Sequence, residues 1–165
     1  GILSDYEGYK APMEQKGCFV FRLDAKGKLT IAADDFVKPN GLAFSPDESI
    51  LYIADSGFSH DPQAPHHIRA FDVRADGSLA NGKVFAVIDP GVPDGFRLDV
   101  EGNIWTSCQD GVICLSPSGK PLGKIRIPQM VANLTFGGPR RNRLFITATK
   151  SLYAVSVGIS GAQRP

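Results

Sequence analysis

The sequence predicts an all-β chain, organised as consecutive blades of a β-propeller. Three observations predict it. Short apolar runs are punctuated by 18 glycines and 12 prolines, long helical periodicity is absent, and one strand–turn–strand stretch recurs along the chain. That stretch is Pro39-Asn40-Gly41-Leu42-Ala43-Phe44-Ser45-Pro46-Asp47, running into Leu51-Tyr52-Ile53-Ala54-Asp55-Ser56. Leu42 and Phe44 alternate with smaller residues. Pro46 pre-sets φ for a turn, and Ser45 and Asp47 are suited to bonding nearby backbone groups.

The stretch returns as Pro93-Asp94-Gly95-Phe96-Arg97-Leu98-Asp99, leading into Asn103-Ile104-Trp105-Thr106-Ser107. A weaker copy is Ala132-Asn133-Leu134-Thr135-Phe136, leading into Arg143-Leu144-Phe145-Ile146-Thr147. Aligning Phe44, Leu98 and Phe136 puts Asn40, Asp94 and Ala132 in one register.

In chain order, residues 1–16 lack periodicity and read as a long loop. Cys18–Leu23 and Lys28–Ala33 form a hairpin around the turn Asp24–Gly27. The opening stretch follows, then a second long loop, Gly57–Pro65. His67–Val73, a turn at Ala75–Gly77 and Lys83–Ile88 complete a four-strand unit. The next unit repeats the order with Gly95–Asp99, Ile104–Cys108, Val112–Leu115 and Gly123–Ile127. A last unit starts at Leu134 and continues through Leu144–Thr147 and Leu152–Val157, leaving residues 158–165 as a tail.

Four short strands repeating at roughly 40 to 50 residues are the signature of propeller blades. The chain supplies two whole blades and parts of two more, where a ring closes with about four to eight. Residues 1–165 are therefore expected to form one domain that is the C-terminal part of a longer propeller. A β-sandwich, which needs no ring closure, is the alternative; the residue-by-residue repeat favours the propeller.

Bulk properties narrow the function. With 42% hydrophobic and 21% charged residues the composition is that of a soluble globular protein. A net charge of +1 and no Lys/Arg-rich run argue against a nucleic-acid partner. No apolar run approaches the length of a membrane-spanning helix, so no membrane partner is expected. Three cysteines leave no complete disulfide framework. A two-residue turn at Asp110-Gly111 would pair Cys108 with Ile113 and Ser107 with Cys114, which points to buried free thiols. No leader precedes Gly1, but Gly1 need not be the natural start, so targeting stays open between cytoplasm and periplasm.

Asn40 and Asp94 sit between Pro and Gly, at the start of the strand nearest the ring axis. The two long loops fall on the same face. An amide oxygen and a carboxylate are hard donors that suit Ca²⁺, Mg²⁺ or a similar divalent ion. Next to glycine they equally suit turns that bond their own backbone, and spacing alone does not separate the two readings.

These segments, together with Val100-Glu101-Gly102-Asn103-Ile104-Trp105 and Phe136-Gly137-Gly138, resemble the SMP-30/gluconolactonase family. Tyr6-Glu7-Gly8-Tyr9 and Pro65-His66-His67-Ile68-Arg69 look more like its bacterial gluconolactonases. The resemblance covers nearly the whole chain. It implies a six-bladed propeller, of which this chain is about three to four blades, with one divalent metal ion in the axial channel. Calcium is the foremost candidate, with zinc, magnesium or manganese as others.

By the same resemblance Asn40 and Asp94 are metal ligands, and Asp94 is the catalytic base or a pure ligand. Two further ligands of the family, a Glu and an Asn from earlier blades, have no counterpart here. The implied reaction is hydrolysis of a sugar lactone such as glucono-1,5-lactone to gluconate, within carbohydrate metabolism. The chain alone would be inactive and would need the N-terminal blades of the same protein. His66, His67, Tyr6, Glu7 and Asn133 are candidate substrate contacts. The competing readings are a calcium-binding propeller without turnover, and a related hydrolase acting on another lactone or an organophosphate.

Overall fold

A computed structural model of the chain describes residues 9–162. Four antiparallel sheets follow one another along it. The first is the hairpin β1 (Cys18–Leu23) and β2 (Leu29–Phe36). The second is a four-stranded meander of β3 (Pro39–Phe44), β4 (Ile50–Asp55), β5 (His67–Val73) and β6 (Leu79–Val87). The third repeats it with β7 (Phe96–Leu98), β8 (Ile104–Cys108), β9 (Gly111–Leu115) and β10 (Pro121–Arg126). The last has three strands, β11 (Val131–Gly137), β12 (Arg143–Ala148) and β13 (Ser151–Ser156). Two whole blades and parts of two more are thus present, as the repeat predicts. Among the described residues no helix is long and apolar enough to cross a membrane.

Strand alternation explains how the blades stack. Along β4, Leu51 and Ile53 face one neighbour and Tyr52 and Ala54 the other, so the strand is buried on both faces. Leu51, Ile53 and Phe71 pack on Val20, Ala33 and Phe36 of the first hairpin. Tyr52, Ala54, Ile68 and Ala70 pack on Phe96, Leu98, Ile104 and Ile113 of the third sheet. Val112 and Ile127 then meet Leu134, Leu144 and Ile146 of the fourth. At the β1–β2 end, Phe21 pairs with Ile31 and Leu23 with Leu29 across the hairpin. All four stay exposed, as do Leu42 and Phe44 on β3.

Two buried carboxylates fix the blade geometry. Asp55 is 2% exposed and accepts the backbone N–H groups of Val37, Lys38 and Gly57, which ties the end of β4 to the residues between β2 and β3. Asp99, fully buried, accepts the backbone N–H groups of Glu101 and Asn103, the Asn103 amide and the Trp105 indole N–H. Each replaces lost hydration with several charge-assisted hydrogen bonds.

The structure corrects the β8–β9 register. The turn is Gln109-Asp110, so Cys108 pairs with Gly111, Ser107 with Val112 and Trp105 with Cys114. Gly111 is needed one position later, because at φ 151 it lets the Ile125 carbonyl approach where a Cβ would stand. The expected free thiols hold: Cys108 and Cys114 are buried and Cys18 half-buried. Burial pushes the Cys114 thiol up to about 11 and raises Cys108 as well. The thiolate is the reactive form. Neutral-pH labelling with a water-soluble disulfide reagent should therefore modify Cys18 first, with Cys108 and Cys114 reacting only on unfolding. Fast modification of all three in the native protein would contradict the buried placement.

Candidate active site

The innermost strands β3, β7 and β11 lie side by side, and backbone bonds stitch them together. The Gly41 N–H donates to the Asp94 carbonyl at 3.0 Å, and the Gly95 N–H to the Ala132 carbonyl at 2.8 Å. Both glycines are there for close approach. A Cβ on Gly41 would collide with that Asp94 oxygen, and one on Gly95 would lie 2.9 Å from the Asn133 Cα and collide with its side chain. The Asn-Gly and Asp-Gly pairs therefore do two jobs: the glycine docks one blade on the next, and the residue before it faces the axis.

Asn40 and Asp94 are brought together. Asn40 donates a side-chain hydrogen bond to Ser56 Oγ at 3.2 Å, and its amide is near enough to the Asp94 carboxylate to influence it. Ser56 in turn donates to the Pro93 carbonyl at 2.6 Å, and the Asp94 backbone N–H donates to the buried Ser107 Oγ at 2.9 Å. Burial pushes the Asp94 carboxyl above its ordinary 3.8, and the nearby Asn40 amide offsets part of that. Asn40 and Asp94 line one cavity of about 310 Å³, walled also by Lys38, Ser59, Val92 and Ala132.

The long loops reach this face. Gly57–Ser59 forms one 3₁₀ turn, and Ser59 lines the cavity. Residues 11–15 border a neighbouring hollow that shares Lys38 with the axial one. Lys38 is half-buried and its Nζ lies 2.6 Å from His60 Nε2.

Other expected contacts fall elsewhere. His66 stacks on Phe58 at 4.8 Å between ring centroids, and its Nδ1 lies 2.8 Å from the Ile88 carbonyl. It braces the loop and is not among the residues walling the axial cavity. His67 opens β5 opposite Asp55, and burial lowers its pKa below 6.5. Asn133 turns its Oδ1 back to the Leu134 N–H at 2.8 Å and packs on Gly95, leaving Ala132 to face the cavity. Tyr6 and Glu7 lie outside the described residues. Lys38, Ser56, Ser59 and His60 were not singled out from sequence. The Lys before Pro39-Asn40 and the Ser that closes Leu51–Ser56 were the available signals.

As a metal site the donor set fits in part. A cation such as calcium takes six to eight oxygens, and Asn40 and Asp94 can offer two side chains. Among the described residues no group of three or more His, Cys, Asp or Glu gathers to complete it. The Asn40 amide turns its nitrogen to Ser56 Oγ.

Comparison with known proteins agrees with this architecture. A gluconolactonase of Zymomonas mobilis is 32% identical over 146 residues, covering 82% of this chain and 39% of that protein. A 6-deoxy-6-sulfogluconolactonase of Pseudomonas putida is 32% identical over 146 residues, covering 84% and 47%. A solved gluconolactonase of Xanthomonas campestris superposes with a TM-score of 0.79 at 37% identity, covering 88% of this chain and 46% of that one. The chain spans less than half the length of these relatives. The family described as SMP-30/Gluconolactonase/LRE-like region matches residues 6–150, and with that span matched the chain belongs to it.

Proposed function

We propose that the natural protein carrying this chain hydrolyses a sugar lactone to its open-chain hydroxy acid, with the axial cavity as the active site. One observation carries the reading: two inner strands bring the Asn40 amide and the half-buried Asp94 carboxylate to the wall of one cavity. Relatives that bear the name gluconolactonase support the substrate class. The rest of the ring, and the remaining metal ligands, would come from further blades of the same protein.

A divalent ion held by Asn40 and Asp94 would supply Lewis-acid polarisation of the lactone carbonyl. The chain's own residues would do the following. Asp94, a stronger base than a surface carboxylate because of its burial, takes a proton from water as the water oxygen bonds to the carbonyl carbon. The tetrahedral intermediate then breaks its ring C–O bond, and the proton returns from Asp94 to the leaving alkoxide. Asn40 flanks the Asp94 carboxylate, and Ser56 holds Asn40 while it is itself fixed by its bond to the Pro93 carbonyl. Val92 and Ala132 keep one wall of the cavity apolar.

The test is hydrolysis of glucono-1,5-lactone by the intact protein, followed by proton release. Activity should be lost with a chelator and restored by a divalent salt, and the isolated 165-residue chain should be inactive. Metal binding with no turnover would instead make this a cation-binding propeller. Full activity in chelator would remove the metal from the scheme.

A further inference from the structure

We propose that Ser56 is a positioning residue: its buried hydroxyl decides which end of the Asn40 amide the protein holds, and so keeps the amide oxygen as the free end. This rests on the lactonase reading above only in giving Asn40 a part in that site. Three groups form the relay, all from the second and third sheets: the Asn40 amide, the Ser56 hydroxyl and the Pro93 carbonyl. Ser56 is 3% exposed, so the relay is complete within the described residues.

The direction of the relay follows from donor chemistry. A carbonyl oxygen only accepts, and Ser56 Oγ lies 2.6 Å from the Pro93 carbonyl, so the single hydroxyl proton is committed there. Towards Asn40, 3.2 Å away, the same oxygen can then only accept. Of the two ends of an amide only the nitrogen donates, so Nδ2 must face Ser56 and Oδ1 must face away from it. Among the described residues no donor reaches Oδ1. A side chain without a hydroxyl at position 56 would leave both orientations of the amide open.

Ser56 is itself fixed on both sides. Its N–H donates to the Lys38 carbonyl at 3.0 Å, and its carbonyl accepts from the Ser59 N–H and hydroxyl. Asp55, immediately before it, collects the N–H groups of Val37, Lys38 and Gly57. The hydroxyl therefore stands on a rigid mount. Its acceptor Pro93 directly precedes Asp94, so one serine ties the Asn40 side chain to the backbone that carries the carboxylate. An amide oxygen can ligate a cation or accept from a substrate hydroxyl, whereas the N–H end repels a cation. A residue that orients a ligand in this way acts through it and needs no contact of its own with what binds.

The experiment uses the intact protein, with nuclear magnetic resonance for the amide and calcium as the probe. In chelator, Ser56→Ala should shift the Asn40 Nδ2 protons and speed their exchange with water. The Gly41 amide, bonded to the Asp94 carbonyl, should keep its protection and show that the blades stay docked. Calcium affinity by calorimetry should fall by roughly 10–100-fold, the range for losing a residue that orients a ligand. Asn40→Ala should weaken binding too, and adding Ser56→Ala to it should cost nothing more, because Ser56 acts through the amide. A role in fold stability alone would instead lower affinity equally in both backgrounds. That result, or unchanged Asn40 amide signals in Ser56→Ala, overturns the assignment while leaving the lactonase reading intact. Should Ser56→Ala fold poorly, the unmodified protein decides: nuclear Overhauser contacts should place the Nδ2 protons beside the Ser56 methylene, and their absence overturns the proposal. A protein that bound no calcium and hydrolysed no lactone would overturn the site reading, and the same amide signals would still decide the orientation.

Discussion

Asp94→Asn should lower kcat for lactone hydrolysis by roughly 10²–10⁴-fold, the range for removing a positioned general base. The substitution keeps the shape but removes the charge and the proton acceptor. Its effect on stability should run the other way. The folded pKa of Asp94 is raised above 3.8 by burial. Below 3.8 the carboxyl is neutral in both folded and unfolded states and carries no penalty. As pH rises through the folded value the buried group ionises and stability is lost. At neutral pH and in chelator, Asp94→Asn should therefore melt no lower than the unmodified protein, with any gain shrinking as pH falls toward 4. Thermal unfolding across that range, alongside the lactone assay, measures both. Undiminished turnover in the variant would show that Asp94 is not the base.

Gly41→Ala should cost about 2–4 kcal/mol, combining a steric clash with the loss of an inter-blade hydrogen bond. For a domain of this size that is a fall in Tm of roughly 5–15 °C. The new Cβ would collide with the Asp94 carbonyl that the Gly41 N–H now contacts at 3.0 Å, so the blades must part at the point where Asn40 meets Asp94. Loss of divalent-ion affinity should accompany the loss of stability. Gly123→Ala is the control, since a Cβ there meets nothing within 4 Å; it should lie within about 0.5 kcal/mol of the unmodified protein. Equal melting of the two variants would rule out the close approach as the reason for the Asn-Gly pair.

Much of the blade layout was legible because alternation and turn chemistry agree along the chain. Cys18–Leu23, His67–Val73 and Ile104–Cys108 have the bounds that the sequence predicts. β6 starts at Leu79, four residues before the expected Lys83, and carries an irregularity at Asn81-Gly82 inside the strand, with Asn81 at φ 52 and its amide on Asp72. The Cys108 hairpin misled in a similar way: Gly111 looked like a turn residue and serves instead for close approach. Asn40 and Asp94 stood out because they repeat in register. The Lys38–His60 contact did not, since its partners are 22 residues apart in sequence. Asp55 and Asp99 read as strand-end residues, and nothing local reveals that each collects donors from several places in the chain.

The stitching of the inner strands bears on how such a site can diversify. Its backbone links set where the residues at 40, 94 and 132 stand, whatever side chains they carry. Ala132 holds the third of these stations, walls the cavity and is exposed. An alanine codon is a single base change from an aspartate codon, so a second carboxylate could arise on the axis without altering the ring that supports it. Charge at the site can thus drift by point mutation while the scaffold is inherited unchanged, and one architecture can carry sites of differing cation affinity.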